Sequence, residues 1–416
     1  MSPAPRAAAA AAVLAVLAWF VPAGAIVLAG LALAGAVVAD AWSVRRPPAV
    51  ERSVPRTLSR GVAAPLVVTP AADGRGRARV RQPVPPALAV EPDEADHHLD
   101  AVIRPRHRGR HVLPPVAVRL TGPLGLGRWD HRVGGEHGVV VYPDLPAARA
   151  LAVTVRSGMA RDLAQLTRGA LGLGTELERV RDYLPDDELR QVNWKATARL
   201  GRPMSNEYRL DEDRDVMCVV DAGRLMAAPL GADRTRLDAA LDAAAAVAVV
   251  ADAVGDRCGT VAFDAAVRRL VRPRRAGGRA VLDALFDLEP AATDSDYAAA
   301  FHAVGGGKRS CVVVLTDLVD EAAARSLVDA VPVLARRHAV VVATATDTDL
   351  VELLATEPVT PLRVHAAAVA AEVLDARARA ATRLRRSGAV VIEAPAARLG
   401  RMCVSAYLSL KARARL

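Results

Sequence analysis

Ser310-Cys311-Val312-Val313-Val314-Leu315-Thr316-Asp317 decides the fold. Cys311 through Leu315 are all apolar and mostly β-branched, and a carboxylate comes almost at once after them. A strand with one wet face would alternate, so this run reads as a strand buried on both sides. Val216–Val220 repeats the pattern and also ends on an acid, Asp221. Working outward, Gly259–Phe263 reads as another strand with Val267–Val271 pairing beside it, and Ala339–Ala343 and Ala389–Ile392 come after. Helical patterns separate them: Asp233–Val254, Gly278–Leu288, Tyr297–Val304, Glu321–Arg336 and Val364–Arg386. Continuous apolar strands alternating with helices predict a doubly wound α/β sheet, mostly parallel and covered on both faces.

Just upstream lies a second informative stretch, Arg181-Asp-Tyr-Leu-Pro-Asp-Asp-Glu-Leu-Arg-Gln-Val-Asn-Trp-Lys-Ala-Thr-Ala-Arg199. Its residues Arg181, Tyr183, Asp187, Arg190, Val192, Trp194, Lys195, Ala198 and Arg199 resemble the signature of the DUF58 family, with Asp186 where that family usually has Gly. Opposite charges at this spacing can pair within a compact turn and helix. Trp194, a large aromatic, is expected to turn inward, leaving part of the arginine set for a partner.

The sheet attached to that signature resembles a von Willebrand factor A domain. The resemblance implies one divalent ion at the carboxyl ends of the strands, held by a D-x-S-x-S loop, a Thr and an Asp. Mapped onto this chain, Asp221 matches the first acid, Ser295 stands in for the Thr, and Asp317 matches the last. Gly223 and Leu225 occupy the two serine positions, so the implied Mg²⁺ site is degenerate. The alternative reading of Asp221 and Asp317 is that they cap the helices after them.

At the other end of the chain, Ala7–Ala39 carries no charge, and Pro22-Ala23-Gly24 divides it. One span takes about 20 residues, so the run predicts a transmembrane helical hairpin over residues 1–43. Arg6 before it and Arg45-Arg46 after it predict that both ends, and everything downstream, are cytoplasmic. A cleaved signal peptide is the rival reading, though its n-region would hold only Arg6.

Residues 44–145 interleave short apolar runs with Pro, Arg and Gly, which suggests a small β-rich, sandwich-like domain. Within it, Gly122-Pro123-Leu124-Gly125-Leu126-Gly127 lacks the Gly-Lys-Ser/Thr ending of a phosphate loop and reads as a structural turn. Residues 146–175 read as a linker turning helical around Met159–Thr167, 176–213 as the signature segment, 214–395 as the A-type domain and 396–416 as a C-terminal helix.

The net charge of +9 admits nucleic acid, anionic lipid or an acidic partner, but aromatics make up only 3% of the chain and no zinc-finger spacing is present. Nucleic acid is therefore not expected. The four cysteines, Cys218, Cys258, Cys311 and Cys403, lie in or beside apolar runs without C-x-x-C spacing, as buried reduced thiols do. No nucleophile and base stand at a credible spacing, so no enzyme is expected. The family resemblance implies a membrane-anchored protein-binding component that works with a separate MoxR-type AAA+ ATPase on client proteins. A metal-free scaffold, or a hydrolase or transferase acting on envelope precursors, are the other classes.

Overall fold

The strand read from Ser310–Asp317 lies inside a six-stranded sheet of the computed structural model, which describes residues 1–71, 76–157, 176–184, 192–209, 214–231, 234–318, 321–356 and 360–412. The spatial order is Val267–Arg275, Arg257–Phe263, Asp215–Asp221, Ser310–Leu315, Ala339–Ala345 and Val390–Ala394. The first strand runs antiparallel to its neighbour, and the other five are parallel. Alternate residues divide the interior. Val216, Cys218, Val220, Val313 and Leu315 belong to one apolar cluster, and Met217, Val219, Val312 and Val314 to another. Helices Arg236–Ala253, Gly278–Leu285 and Ala396–Ala412 complete the first cluster; Tyr297–Val304, Glu321–Ala335 and Pro361–Arg386 complete the second. The fold is α/β, with a sheet buried on both sides.

Arg236–Ala253 is the hub of the first face. Alanine is the best helix former and lets backbones approach closely, and a capping box closes the start: Thr235 accepts from the Asp238 amide while Asp238 accepts from Thr235. The helix is buried on nearly every side because the sheet, Leu145–Arg156 and Ala396–Ala412 all pack on it. Leu145–Arg156 stands where the sequence suggested a linker. Its Leu145, Ala148, Ala152 and Val155 are the buried stripe that makes it a docked helix. The helix expected at Met159–Thr167 lies outside the described residues. Thr348–Ala355 is a further short helix, one that the apolar pattern does not announce.

This sheet belongs to one compact unit, Pro143–Leu416, and the rest of the chain, Met1–Tyr142, forms another. Among the described residues of Met1–Tyr142, short strands make three small sheets around one core. Leu99–Pro105 shows why: Leu99, Ala101 and Ile103 are fully or nearly buried while Asp100, Val102 and Arg104 face out.

Two helices, Pro5–Leu17 and Ala23–Ser43, lie between the short strand Ser2–Pro3 and the rest of these strands. Among the described residues, Ala23–Ser43 alone is long and apolar enough to cross a membrane. Its 21 residues span about 30 Å at 1.5 Å each, the thickness of a bilayer core. Pro5–Leu17 has 13 residues, about 20 Å, and falls short. Of the two spans expected, one is met by a helix of spanning length, and the other half of the apolar run forms a shorter helix.

At the end of that span, Asp40 is buried against the glycine-rich turn. Its carboxylate accepts from the amides of Leu124 (2.9 Å), Leu126 (2.8 Å) and Gly127 (2.9 Å). A Cβ on Gly127 would lie 2.4 Å from the Val37 carbonyl oxygen and 2.5 Å from the Ala41 nitrogen, so only glycine lets helix and turn meet. The loop that resembles a phosphate cradle thus cradles the protein's own carboxylate.

Candidate functional site

The order of the strands reverses between Asp215–Asp221 and Ser310–Leu315: the chain first moves to Arg257–Phe263 on one side, then crosses to Ser310 on the other. Ligands of open α/β sheets bind at the carboxyl ends beside such a switch point. Asp221 and Asp317 stand there, both buried.

Asp221 is held on both oxygens. Oδ1 accepts from the Gly223 amide (2.8 Å) and the Ser295 hydroxyl (2.5 Å). Oδ2 accepts from Tyr297 (2.9 Å) and Thr316 (2.6 Å), whose hydroxyls also lie 2.7 Å apart. Burial, then the Asp221 charge, pushes the Tyr297 phenol well above its ordinary value, so it stays protonated and donates. The structure therefore brings Ser295 to Asp221, and explains Gly223: a Cβ there would lie 2.1 Å from the Ser295 hydroxyl. The hydroxyl from the Thr293–Asp296 loop fills the room that a side chain at position 223 would need.

Asp317 meets cations. Arg236 Nη1 lies 2.9 Å and Arg377 Nη2 3.4 Å from Oδ1, which also accepts from Thr344 (3.1 Å) and the Leu318 amide (2.9 Å). Arg236 Nη2 reaches on to Asp347 at 3.0 Å. Both arginines are buried. Burial pushes the Arg236 guanidinium down from its ordinary value, and Asp317 and Asp347 oppose that shift.

Magnesium needs free oxygen lone pairs, typically several in an octahedral shell. An ionised carboxylate offers about four acceptor sites, and Asp221 has four donors on it. Asp317 is engaged by two guanidinium groups, a hydroxyl and an amide. Among the described residues no group of three His, Cys, Asp or Glu is placed to hold a metal. The side chains present do not fit the ion that the resemblance implied. Arg236, Arg377, Tyr297 and Thr316 were missed in the sequence. Arg236 did leave a trace, as a cation opening an alanine-rich helix.

The signature residues form a separate module. Glu176–Asp182 pairs antiparallel with Met204–Arg209, and Val192 bridges to Ser205. The helix Trp194–Leu200 connects them, capped by the Asn193 side chain on the Ala196 amide (2.9 Å) and closed by Gly201 in the left-handed region, φ 65°. Asn193 also donates to Asn206 at 2.7 Å, tying helix to ribbon. Arg181 donates to the Asp182 carbonyl (3.0 Å), and Tyr183 is half-buried. Asp187 and Arg190 lie outside the described residues.

Trp194 does not turn inward. It is 69% exposed, with Leu184 at 52% and Leu200 at 54%, and Lys195 and Arg199 are at least partly exposed beside it. The expectation of an inward Trp194 is corrected. The physical reason is its place in the first turn of a seven-residue helix, too short to bury a face beyond its own ribbon.

No curated protein matches the chain. Among solved structures, the PKD domain of an M14-like peptidase from Thermoplasmatales archaeon SCGC AB-540-F20 aligns over 21% of this chain and 96% of its own, at 10% identity and a TM-score of 0.15. That likeness is too slight to bear on fold or function. The family model described as "Protein of unknown function DUF58" matches residues 179–386, half of the chain, from the Arg181 ribbon through the last turn of the Pro361–Arg386 helix. The chain belongs to the DUF58 family.

Proposed function

We propose that this is a membrane-anchored, non-catalytic protein-binding component. Its signature module docks a partner, which the family resemblance suggests is a MoxR-type AAA+ ATPase acting on client proteins. One observation carries the reading: Trp194 is exposed beside Lys195 and Arg199 on a capped helix. Exposed tryptophan with arginine is the composition of binding hot spots, and water contact with so much aromatic surface is costly unless a partner covers it.

The remaining parts fit the same reading. The mostly parallel sheet with acids at its switch point supports reading the larger unit as a von Willebrand factor A-like domain, a fold suited to protein binding. Ala23–Ser43 is the anchor, and Val27, Leu28 and Leu31 expose an apolar face suited to lipid. Exposed Trp19 and Phe20 precede it, and Trp42 carries Arg45 at 4.4 Å from its ring. Aromatics at both ends of an apolar helix suit the two interfaces of a bilayer. We read Pro5–Leu17 as the first arm of a hairpin, with the larger unit cytoplasmic. The four donors on Asp221 and the two arginines at Asp317 favour the metal-free form of this reading.

The test is recovery of an AAA+ ATPase with full-length protein crosslinked in its native membrane and extracted in detergent. Trp194→Ala is expected to abolish recovery while changing stability by less than about 0.5 kcal/mol, as for an exposed site. Arg199→Ala is expected to weaken recovery at unchanged melting. Undiminished recovery by the Trp194 variant, or a large loss of stability, would sink the proposal.

A further inference from the structure

We infer that Arg236 and Arg377 take the place of a divalent cation at the carboxyl end of the sheet, so that this site is complete, and its partners bound, without metal. The inference about the site stands apart from which partner docks at the signature module; only its consequence for binding rests on that proposal.

Three independent features carry it. The first is acceptor capacity. Both oxygens of Asp221 are engaged, by an amide and three hydroxyls at 2.5–2.9 Å. Asp317 Oδ1 alone has four donors around it. A cation would have to displace these donors and leave them buried without acceptors, at the full cost of desolvation.

The second is charge. Arg236 lies between Asp317 and Asp347 at 2.9 and 3.0 Å, and Arg377 approaches Asp317 from the helix Pro361–Arg386. Buried carboxylates need a nearby cation, and here the chain itself supplies one from each face of the sheet. A dication added beside two buried guanidinium groups would be repelled.

The third is the sense of the spare hydrogen-bonding capacity. Arg236 Nε and Arg377 Nε are buried with no acceptor among the described residues. These unsatisfied atoms are donors, whereas a metal needs acceptors, and the lightly held acceptor Asp317 Oδ2 faces the Arg377 guanidinium at 3.5 Å. Gly223 adds a steric mark that points the same way: the Ser295 hydroxyl fills the space where a side-chain ligand at 223 would stand. The loop is built around hydrogen bonds.

The experiment measures melting of the full-length protein in detergent, with chelator and with millimolar Mg²⁺ or Mn²⁺. A ligand that binds only the native state raises its stability by mass action. Wild type is expected to melt at one temperature in all three conditions. Arg377→Ala leaves Asp317 short of a cation, so it is expected to melt lower in chelator and to recover part of the loss in Mn²⁺, while Arg377→Lys melts near wild type and ignores metal. A metal-driven rise in wild type overturns the inference, and so does an Arg377→Ala protein that melts like wild type or gains nothing from metal. If that variant does not fold, the wild-type comparison alone decides.

Discussion

His338 is buried between two backbones. Its Nδ1 accepts from the Ser310 hydroxyl at 2.8 Å, and Nε2 donates to the Gly305 carbonyl at 3.1 Å, an arrangement that the neutral ring satisfies. Burial pushes its pKa below the ordinary 6.5; Arg337 and Arg309 add to the shift and the Gly305 carbonyl opposes it. His137 shifts the same way, through burial and then Arg52 and Arg56. The unfolded chain therefore takes up these protons at higher pH than the folded one. The stability they contribute is complete above about pH 6.5 and is lost as pH falls through the depressed folded values, by at most about 1.4 kcal/mol per pH unit for each group. Melting temperature is expected to drop as pH falls from about 7 to about 5, and His338→Gln should lessen that drop; an equal drop in the variant would place its source elsewhere. At this scale the sequence was partly legible. Asp221 and Asp317 could be found because each stands at the end of an apolar run. The arginines facing Asp317 could not, because Arg236 and Arg377 lie far from it in the chain and only the crossing of strands brings the three together.

Elements were most legible where hydrophobic pattern alone determines them. The buried strands and the long helices of the larger unit match their apolar runs to within a few residues, since a strand buried on both faces has no other place to go. Elements held by a local cap or a tertiary partner were less so. Leu145–Arg156 exists because Arg236–Ala253 receives it, and Trp194 stays outside because its helix is only as long as its ribbon needs. The last helix is fixed differently. Lys411, fully buried, donates to both oxygens of Asp256 at 2.8 and 2.9 Å, and Tyr407 and the Arg214 amide donate to the same carboxylate. Burial and then the Asp256 charge push the Tyr407 phenol well above its ordinary value, so it remains a donor. Removing one partner of a buried ion pair strands the other. Lys411→Ala is expected to cost about 3–5 kcal/mol in denaturant unfolding, and a loss below about 1 kcal/mol would show that water reaches Asp256.

For the molecule as a whole, the four cysteines offer a reading of global opening. Cys218, Cys258, Cys311 and Cys403 all belong to the first apolar cluster and all are free and buried. A hydrogen bond with Cys218, and then burial, push the Cys258 thiol up; burial does the same for Cys311 and Cys403. Thiolate is the reactive form, so an aqueous thiol reagent is expected to label none of the four in the native protein and all of them in denaturant. Labelling of any one at a rate independent of denaturant would reveal a local opening of the sheet's first face. A final consequence belongs to the Asp40 clasp. A span joined to its first unit by a slack tether could spin and tilt without moving the strands beyond it. Here three backbone amides grip the last turn of the helix through one carboxylate, and a glycine lets the two backbones touch. Helix and strands then turn together like a key and its bow, so that in the membrane-anchored form proposed above a tilt imposed on the helix by lipid is felt in the strands, and a twist of the strands is felt in the helix.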